Sequence, residues 1–323
     1  MKNIAVFTSG GDAPGMNAAV RAVVRTGIYH KMNVYGIYHG YQGLIEGEIE
    51  KLSKKDVANI IHRGGTILKT SRSEKFRTPE GRAQAYKVLK KHKIDGIVAI
   101  GGDGTFTGAK VFSKDYNLPF IGIPGTIDND IYGTDYTIGF DTAINTAIEA
   151  IDKIRDTADS HNRLFFIEVM GRHAGDIALH TSIGSGASFA FLPETNTTVE
   201  DLISFLENAK KRQKLFNLVI VAEGNKSGNA MKISRKLKKI SEKYESRVMI
   251  IGHIQRGGSP STHDRVLASR FGYAAVNALK AGLSNMAVGL INGEIVHTPF
   301  DDAITKSKGI DESMIKMSEI LSL

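Results

Sequence analysis

The chain has 323 residues, 34 of them glycine, with few aromatics, no tryptophan and a formal net charge of +8. The length allows one large domain or two smaller ones around a sizeable core. The absence of cysteine excludes disulfides, thiolate metal sites and cysteine nucleophiles, and no apolar run approaches the roughly 18 residues of a membrane span.

In chain order, the first apolar run, Ile4 to Phe7, predicts a strand that ends in Thr8-Ser9-Gly10-Gly11-Asp12-Ala13-Pro14-Gly15. The run is too short for a signal peptide, and Gly10-Gly11 breaks it. Together with the lack of cysteine, this sets the expectation of a cytoplasmic protein. A helix is expected from near Gly15 to about His30. The apolar run Ile94 to Ile100 predicts a strand ending in Gly101-Gly102-Asp103-Gly104-Thr105. The next, Leu118 to Ile123, stops at Pro124-Gly125-Thr126-Ile127-Asp128-Asn129-Asp130. Glycine and polar residues over 133–139 mark a domain boundary. Ile144, Ala147, Ile148, Ile151 and Ile154 define one face of a helix over 141–156. A strand from Leu164 to Val169 ends in Met170-Gly171-Arg172-His173. Val199, Leu202, Ile203 and Leu206 mark a further helix. Leu218 to Ala222 predicts a strand ending in Glu223-Gly224, and Ile233, Leu237, Ile240 and Tyr244 mark the helix after it. Val248 to Ile251 predicts a strand ending in Gly252-His253-Ile254-Gln255-Arg256-Gly257-Gly258. A last helix over 264–281 is closed by Gly282.

Strands alternating with helices predict an α/β fold with mainly parallel strands. Both halves share one strand–glycine–helix grammar, which suggests two related units. Six strands end in glycine plus a polar or charged residue, and ligands of open parallel sheets bind beyond those carboxyl ends. The lysines of 87–93 and 232–243 read as solvated helix faces. The positive balance also suits an anionic partner. In the absence of a nucleic-acid motif, small phosphorylated ligands are favoured over nucleic acid.

The turns suit particular chemistry. Gly10 to Asn17 opens a helix whose N–H groups and dipole favour a phosphate, without matching the Rossmann or Walker patterns. In 101–105 the glycines clear space for phosphates and Asp103 is a candidate Mg²⁺ ligand, although a tight turn with an N-capping aspartate accounts for the same residues. In 124–130, Asp128 and Asp130 lie two residues apart beside Thr126, which suits a general base with a second carboxylate; an Asx turn is the alternative. Arg172 is the natural clamp on a transferring phosphoryl group. Arg163, Arg247, His253 and Arg256 add cations that could hold an anionic acceptor.

Taken together, the motifs at 10–17, 101–105, 124–130, 170–172 and 252–258 resemble those of the bacterial ATP-dependent 6-phosphofructokinases, in order and over nearly the full length. The resemblance implies two similar three-layer α/β domains with mainly parallel sheets and an active site in the cleft between them. An ATP-binding domain would comprise 1–138 plus 252–300, and a sugar-phosphate domain 139–251 plus 301–323. It further implies that Asp128 takes the proton from the 1-hydroxyl of fructose 6-phosphate, with Asp130 beside it, and that Asp103 holds Mg²⁺ on ATP. Gly11, Arg72, Ser73, Gly102, Asp103, Gly104 and Thr105 would line the nucleotide, and Thr126 and Arg172 would stabilise the moving phosphoryl group. Ile127, Met170, Gly171, Glu223, His253, Ile254, Gln255 and Arg256 would surround the sugar. Arg163 and Arg247 would reach its 6-phosphate from a neighbouring subunit of a homotetramer. An effector site for ADP or phosphoenolpyruvate would take Arg21, Arg25, Lys54, Arg155, Arg212 and Lys214. Without the resemblance, Arg21 and Arg25 read as a solvated helix face. Ser188 stands where regulated members carry a glutamate, which leaves the sign of any regulation open. Pyrophosphate-dependent relatives carry Asp at position 104 and Lys at 125; glycine at both favours ATP. The rivals are a pyrophosphate-dependent enzyme, an NAD or lipid kinase with a Gly-Gly-Asp-Gly-Thr turn, a non-catalytic nucleotide or sugar-phosphate sensor, and a nucleic-acid binder. Neither nucleic acid nor membrane is the expected partner.

Overall fold

The computed structural model describes residues 1–159, 164–211, 217–241 and 243–322. In chain order the elements are β1 (Asn3–Thr8), α1 (Met16–Tyr29), β2 (Asn33–Ile37), α2 (Gly40–Glu46), β3 (Ile49–Leu52), α3 (Pro79–Lys91), β4 (Gly96–Gly101), α4 (Asp103–Tyr116), β5 (Phe120–Pro124) and α5 (Phe140–Asp159). There follow β6 (Leu164–Val169), α6 (Asp176–Ser185), β7 (Phe189–Phe191), α7 (Val199–Lys211), β8 (Asn217–Ala222), α8 (Ala230–Ile240) and β9 (Ser246–Ile250). The chain closes with α9 (Thr262–Lys280), β10 (Met286–Ile291), β11 (Glu294–Pro299), α10 (Phe300–Thr305) and α11 (Glu312–Leu321). Short 3₁₀ segments lie at Lys75–Arg77 and Gly252–Arg256. No helix among the described residues is long and apolar enough to cross a membrane.

Two compact units result: Met1–Thr142 with Arg256–Lys308, and Ala143–Gln255 with Gly309–Leu323. The edges fall a few residues beyond the 138, 252 and 300 read from the sequence. At the last of them the reason is packing. Phe300 stacks on Phe106 with ring centroids 5.3 Å apart, Phe300 and Ala303 are buried in the first unit's core, and Lys308 Nζ donates to the Asp135 carbonyl at 2.6 Å.

The first unit carries a seven-stranded sheet in the order β11-β10-β5-β4-β1-β2-β3. Its five central strands, β10, β5, β4, β1 and β2, are parallel, and the antiparallel strands β11 and β3 close the two edges. One sheet face presents Ala5, Phe7, Ile97 and Ala99 to a core completed by Leu44, Leu89, Phe106, Phe112 and Phe300 from α2, α3, α4 and α10. On the other face α1 and α9 pack closely. A Cβ on Gly272 would lie 2.6 Å from the Ala22 Cβ, so glycine is what allows the two backbones to approach. β1, β4 and β5 are buried on both faces, which is why they read as continuous apolar runs.

The second unit has a four-stranded sheet, β7-β8-β6-β9, parallel throughout. Leu164, Phe166, Val219 and Val221 meet Leu202 and Leu206 of α7 and Ile233 and Leu237 of α8 in its core. α8 is amphipathic, with Lys232, Lys236, Lys238 and Lys239 away from that core, and Asn229 Oδ1 accepts from the Lys232 N–H at 3.0 Å to cap it. The fold is thus α/β with mainly parallel sheets in two units.

Candidate active site

Parallel order places the carboxyl ends of β1, β4 and β5 side by side at one edge of the first unit's sheet. Thr8 pairs with Ile100 and Gly101 with Pro124. The three glycine-bearing turns therefore meet. The Ser9 N–H donates to the Ile100 carbonyl at 2.9 Å, the Gly125 N–H to the Gly101 carbonyl at 3.0 Å, and Thr105 Oγ1 to the Ser9 carbonyl at 3.3 Å. From outside the sheet, Thr70 Oγ1 donates to the Gly10 carbonyl at 2.7 Å and Arg256 Nη1 to the Asp12 carbonyl at 3.3 Å. Tyr41, stacked on Phe76 at 4.0 Å, donates its hydroxyl to the Thr105 carbonyl at 2.6 Å. Burial pushes the Tyr41 hydroxyl well above its ordinary pKa, so it stays a donor there.

The glycines of 101–104 differ in what holds them. A Cβ on Gly101 would sit 2.3 Å from Thr105 Oγ1 and 2.5 Å from the Ser9 carbonyl, so packing demands glycine. A Cβ on Gly102 would come no nearer than 3.8 Å to Thr126, and one on Gly104 would meet nothing within 4 Å. Neither packing nor a positive φ requires those two. They leave an open cradle at the first turn of α4, where Asp103 is exposed.

The 124–130 turn is built from inside. Thr126 is 8%, Asp128 3% and Asn129 2% exposed. The Asp128 N–H donates to Thr126 Oγ1 at 3.2 Å, Thr137 Oγ1 donates to the Thr126 carbonyl at 2.6 Å, and Asn129 Oδ1 accepts from the Thr137 N–H at 3.0 Å. Thr126 thus makes a local side-chain turn with the Asp128 N–H, while Asn129 ties the segment to Thr137, eight residues on. Asn129 adopts a φ of +55°, a conformation asparagine tolerates. Ile127 is fully buried, and Asp130 is half-exposed.

In the second unit, Met170, Gly171, Arg172 and Glu223 meet at the carboxyl ends of β6 and β8. Glu223 Oε1 accepts from the Gly171 N–H at 3.2 Å and the Arg172 N–H at 2.8 Å. These bonds hold Gly171 at φ +139° and Arg172 at φ +53°, a strained backbone that leaves the Arg172 side chain exposed. Met170 is buried, while His253 and Ile254 are exposed. Gln255, expected around a sugar, is fully buried with both ends of its amide engaged: Oε1 accepts from the Met170 N–H at 2.9 Å and Nε2 donates to the Ala143 carbonyl at 3.4 Å. Its side chain positions the end of β6 instead of facing solvent.

Arg247 pairs with Phe165 near the start of β9, at the end of that sheet opposite Met170, and forms an exposed ion pair with Glu245 at 2.5 Å. Arg72 is exposed, and Ser73 Oγ donates to Gln42 Oε1 at 2.6 Å. Arg21 and Arg25 share a face of α1; partial burial, and then the charge of Arg25, lower the Arg21 pKa. Lys54 is exposed, Arg155 of α5 donates to the Ser185 carbonyl, and Ser188 is buried at the head of β7. Arg163, Arg212 and Lys214 lie outside the described residues. Among those described, no group of three or more His, Asp or Glu could by itself hold a metal ion.

Comparison with known proteins shows the family. A family model described as Phosphofructokinase matches residues 3–279. The chain is 53% identical over 322 residues to the ATP-dependent 6-phosphofructokinase of Cytophaga hutchinsonii, covering 100% of this chain and 98% of that protein. It is 53% identical over 323 residues to ATP-dependent 6-phosphofructokinase 1 of Thermus thermophilus, covering 100% of both. Among solved structures, phosphofructokinase from Saccharomyces cerevisiae matches with a TM-score of 0.91 at 35% identity; the match covers 100% of this chain and 48% of that one, so this chain spans about half its length. A pyrophosphate-dependent phosphofructokinase from Marinobacter aquaeolei shares the fold, with a TM-score of 0.84 at 22% identity over 96% of this chain and 86% of that one. On these grounds the chain belongs to the phosphofructokinase family.

Proposed function

We propose that this protein transfers the γ-phosphoryl group of ATP to the 1-hydroxyl of fructose 6-phosphate, giving fructose 1,6-bisphosphate and ADP. The observation that carries this reading is the buried turn at the end of β5, which fixes Asp128 beside the open glycine cradle at the end of β4. Phosphoryl transfer needs positioning and charge stabilisation more than covalent chemistry. Asp128 accepts the proton of the attacking hydroxyl. Thr126 Oγ1 accepts from the Asp128 N–H, which leaves its O–H to donate to a phosphoryl oxygen. Arg172 supplies a planar fork for the same group.

Gly102 to Thr105 and Gly11 take the nucleotide phosphates at the start of α4, where backbone N–H groups and the helix dipole favour anions. A Mg²⁺ ion carried in on a nucleotide needs only one or two protein carboxylates, a requirement the exposed Asp103 fits. Held there, such an ion would supply positive charge against the charge that develops on the phosphates. ATP is the donor because glycine at 104 keeps the cradle clear, and Gly125 is confined: a Cβ there would lie 3.0 Å from Ile100 Cγ2 and 3.1 Å from Met16 Cε. A lysine at 125 would have to displace both.

Met170, Glu223, His253 and Arg256 are assigned to the sugar. Arg247, set away from the turns, is assigned to the 6-phosphate of a neighbouring subunit in a cytoplasmic homotetramer, and its exposed pairing with Glu245 is weak enough to exchange for a phosphate. Arg21, Arg25, Lys54 and Arg155 are assigned to an ADP or phosphoenolpyruvate effector. An anion placed beside Arg21 and Arg25 relieves the repulsion between them.

Asp128→Asn tests the reading. Turnover should fall by about 10²–10⁴ while the protein stays folded and binds both substrates. Near-normal turnover would overturn the assignment of the base.

A further inference from the structure

Asp264, in the first turn of α9, is fully buried. Its carboxylate accepts three bonds: Oδ1 from the Gly139 N–H at 2.8 Å, and Oδ2 from the Thr142 N–H at 2.8 Å and from the Thr142 hydroxyl. Burial raises its pKa despite these donors, and Asp141 adds to the rise. The groups around it are Thr142, Ser261 and Asp141: Ser261 Oγ accepts from the Asp264 N–H at 3.2 Å and donates to Asp141 Oδ2, and the Ser261 N–H donates to Thr142 Oγ1 at 2.9 Å.

The residues Asp264 holds are continuous with the back of the 124–130 turn. Gly139 stands at φ +99°, and a Cβ there would lie 2.7 Å from the Ala13 Cβ. Directly before it, Ile138 is fully buried, bridges Gly125, and donates its N–H to the Pro124 carbonyl at 3.0 Å. Thr137 then supplies the bonds to the Thr126 carbonyl and to Asn129 Oδ1, and Thr126 receives the Asp128 N–H. One buried series of contacts therefore runs from Asp264 through 137–142 to Asp128.

We propose that Asp264 is a positioning residue for the reaction: by holding the Gly139 and Thr142 backbone it presses 137–138 against the turn and fixes where Asp128 presents its carboxylate. This rests on the reading of Asp128 as the base. A plain helix cap for α5 would use the same three bonds, and a cap alone would affect folding and leave turnover of the folded protein unchanged.

The test compares Asp264→Asn, Thr137→Val, their combination and Asp128→Asn, measuring thermal midpoint, kcat and KM for each substrate on folded protein. Asp264→Asn should lower kcat by about tenfold to a hundredfold with both KM values little changed, as a small misplacement of a reacting group does. Thr137→Val, which keeps the side-chain volume and removes the hydroxyl's bond to the Thr126 carbonyl and its weaker one to Asn129 Oδ1, should lower kcat in the same sense. The double variant should lose less than the product of the two single losses, because both act along one series of contacts. A normal kcat in folded Asp264→Asn overturns the proposal. If that variant does not fold, a normal kcat in Thr137→Val overturns it. Retained turnover in Asp128→Asn instead rejects the reading of the base, so the two failures are told apart.

Discussion

Glycine in the 101–105 turn serves two ends, separable one residue at a time. At Gly101 a methyl group would collide with Thr105 and with the Ser9 backbone. Gly101→Ala should therefore destabilise the protein by about 1–3 kcal/mol, read as a lowered thermal midpoint. At Gly104 the chain leaves open space, so Gly104→Asp should keep the midpoint. Its added charge among the phosphates should raise KM for ATP by about tenfold or more. Arg247→Ala should raise KM for fructose 6-phosphate and leave KM for ATP alone; a change confined to ATP would show that the acceptor has been misplaced. Asp128 was legible in the sequence because an apolar run ending at Pro124-Gly125 announces a strand end and the carboxylates follow at once. Gln255 and Asp264 were not legible as they stand. A polar residue in a glycine-rich segment or in the first turn of a helix reads as a surface group, and only the fold shows that both are buried and hydrogen-bonded to segments distant in the chain.

The helices outside the site depend on short polar side chains at their starts. Asn229 caps α8, and Asn229→Ala should cost about 1 kcal/mol. Asp201 accepts from the Thr198 hydroxyl and N–H at the start of α7, and Asp311 from the Ser313 and Met314 N–H groups at the start of α11. The Thr198 hydroxyl bond and then its N–H lower the Asp201 pKa; the Ser313 hydroxyl bond is the first cause for Asp311. A carboxyl whose folded pKa is lowered binds its proton more readily in the unfolded chain. The stability it adds is thus present above the unfolded value of about 3.9 and is lost as pH falls through the lowered folded value. Asp201→Ala and Asp311→Ala should each lower the thermal midpoint near neutrality, and the gap from wild type should narrow on acidification through that range. Asp264 works in the opposite sense: its folded pKa is raised, so its contribution is most favourable at low pH and is lost as pH rises through the folded value. β1, β4 and β5 could be read in advance because burial on both faces makes them continuous apolar runs. β2, β3, β7, β10 and β11 escaped that reading. β7 has three residues, Gly36 interrupts β2, and β3 and β11 are edge strands that mix polar with apolar side chains and show no continuous apolar run.

At the scale of the molecule, two units of parallel α/β structure each present a row of strand ends carrying glycine and charge. The alternation along the sequence gave the class of fold, but the return of 256–308 to the first unit rests on packing such as Phe300 on Phe106, which no local pattern encodes. A chain of net charge +8 that acts on phosphorylated sugars should bind duplex DNA only through weak, steeply salt-dependent contacts. Tight binding at physiological salt would favour a nucleic-acid role. Phosphoryl transfer from ATP to fructose 6-phosphate is the activity proposed for these strand ends. It is tested most directly by a coupled assay of the purified protein with Mg²⁺ and fructose 6-phosphate, comparing ATP with pyrophosphate, each with and without ADP or phosphoenolpyruvate. Rapid turnover with ATP and almost none with pyrophosphate is the predicted result, and the effector arms report whether regulation survives Ser188. Turnover that requires pyrophosphate, or folded protein inactive with either donor, would rule that activity out.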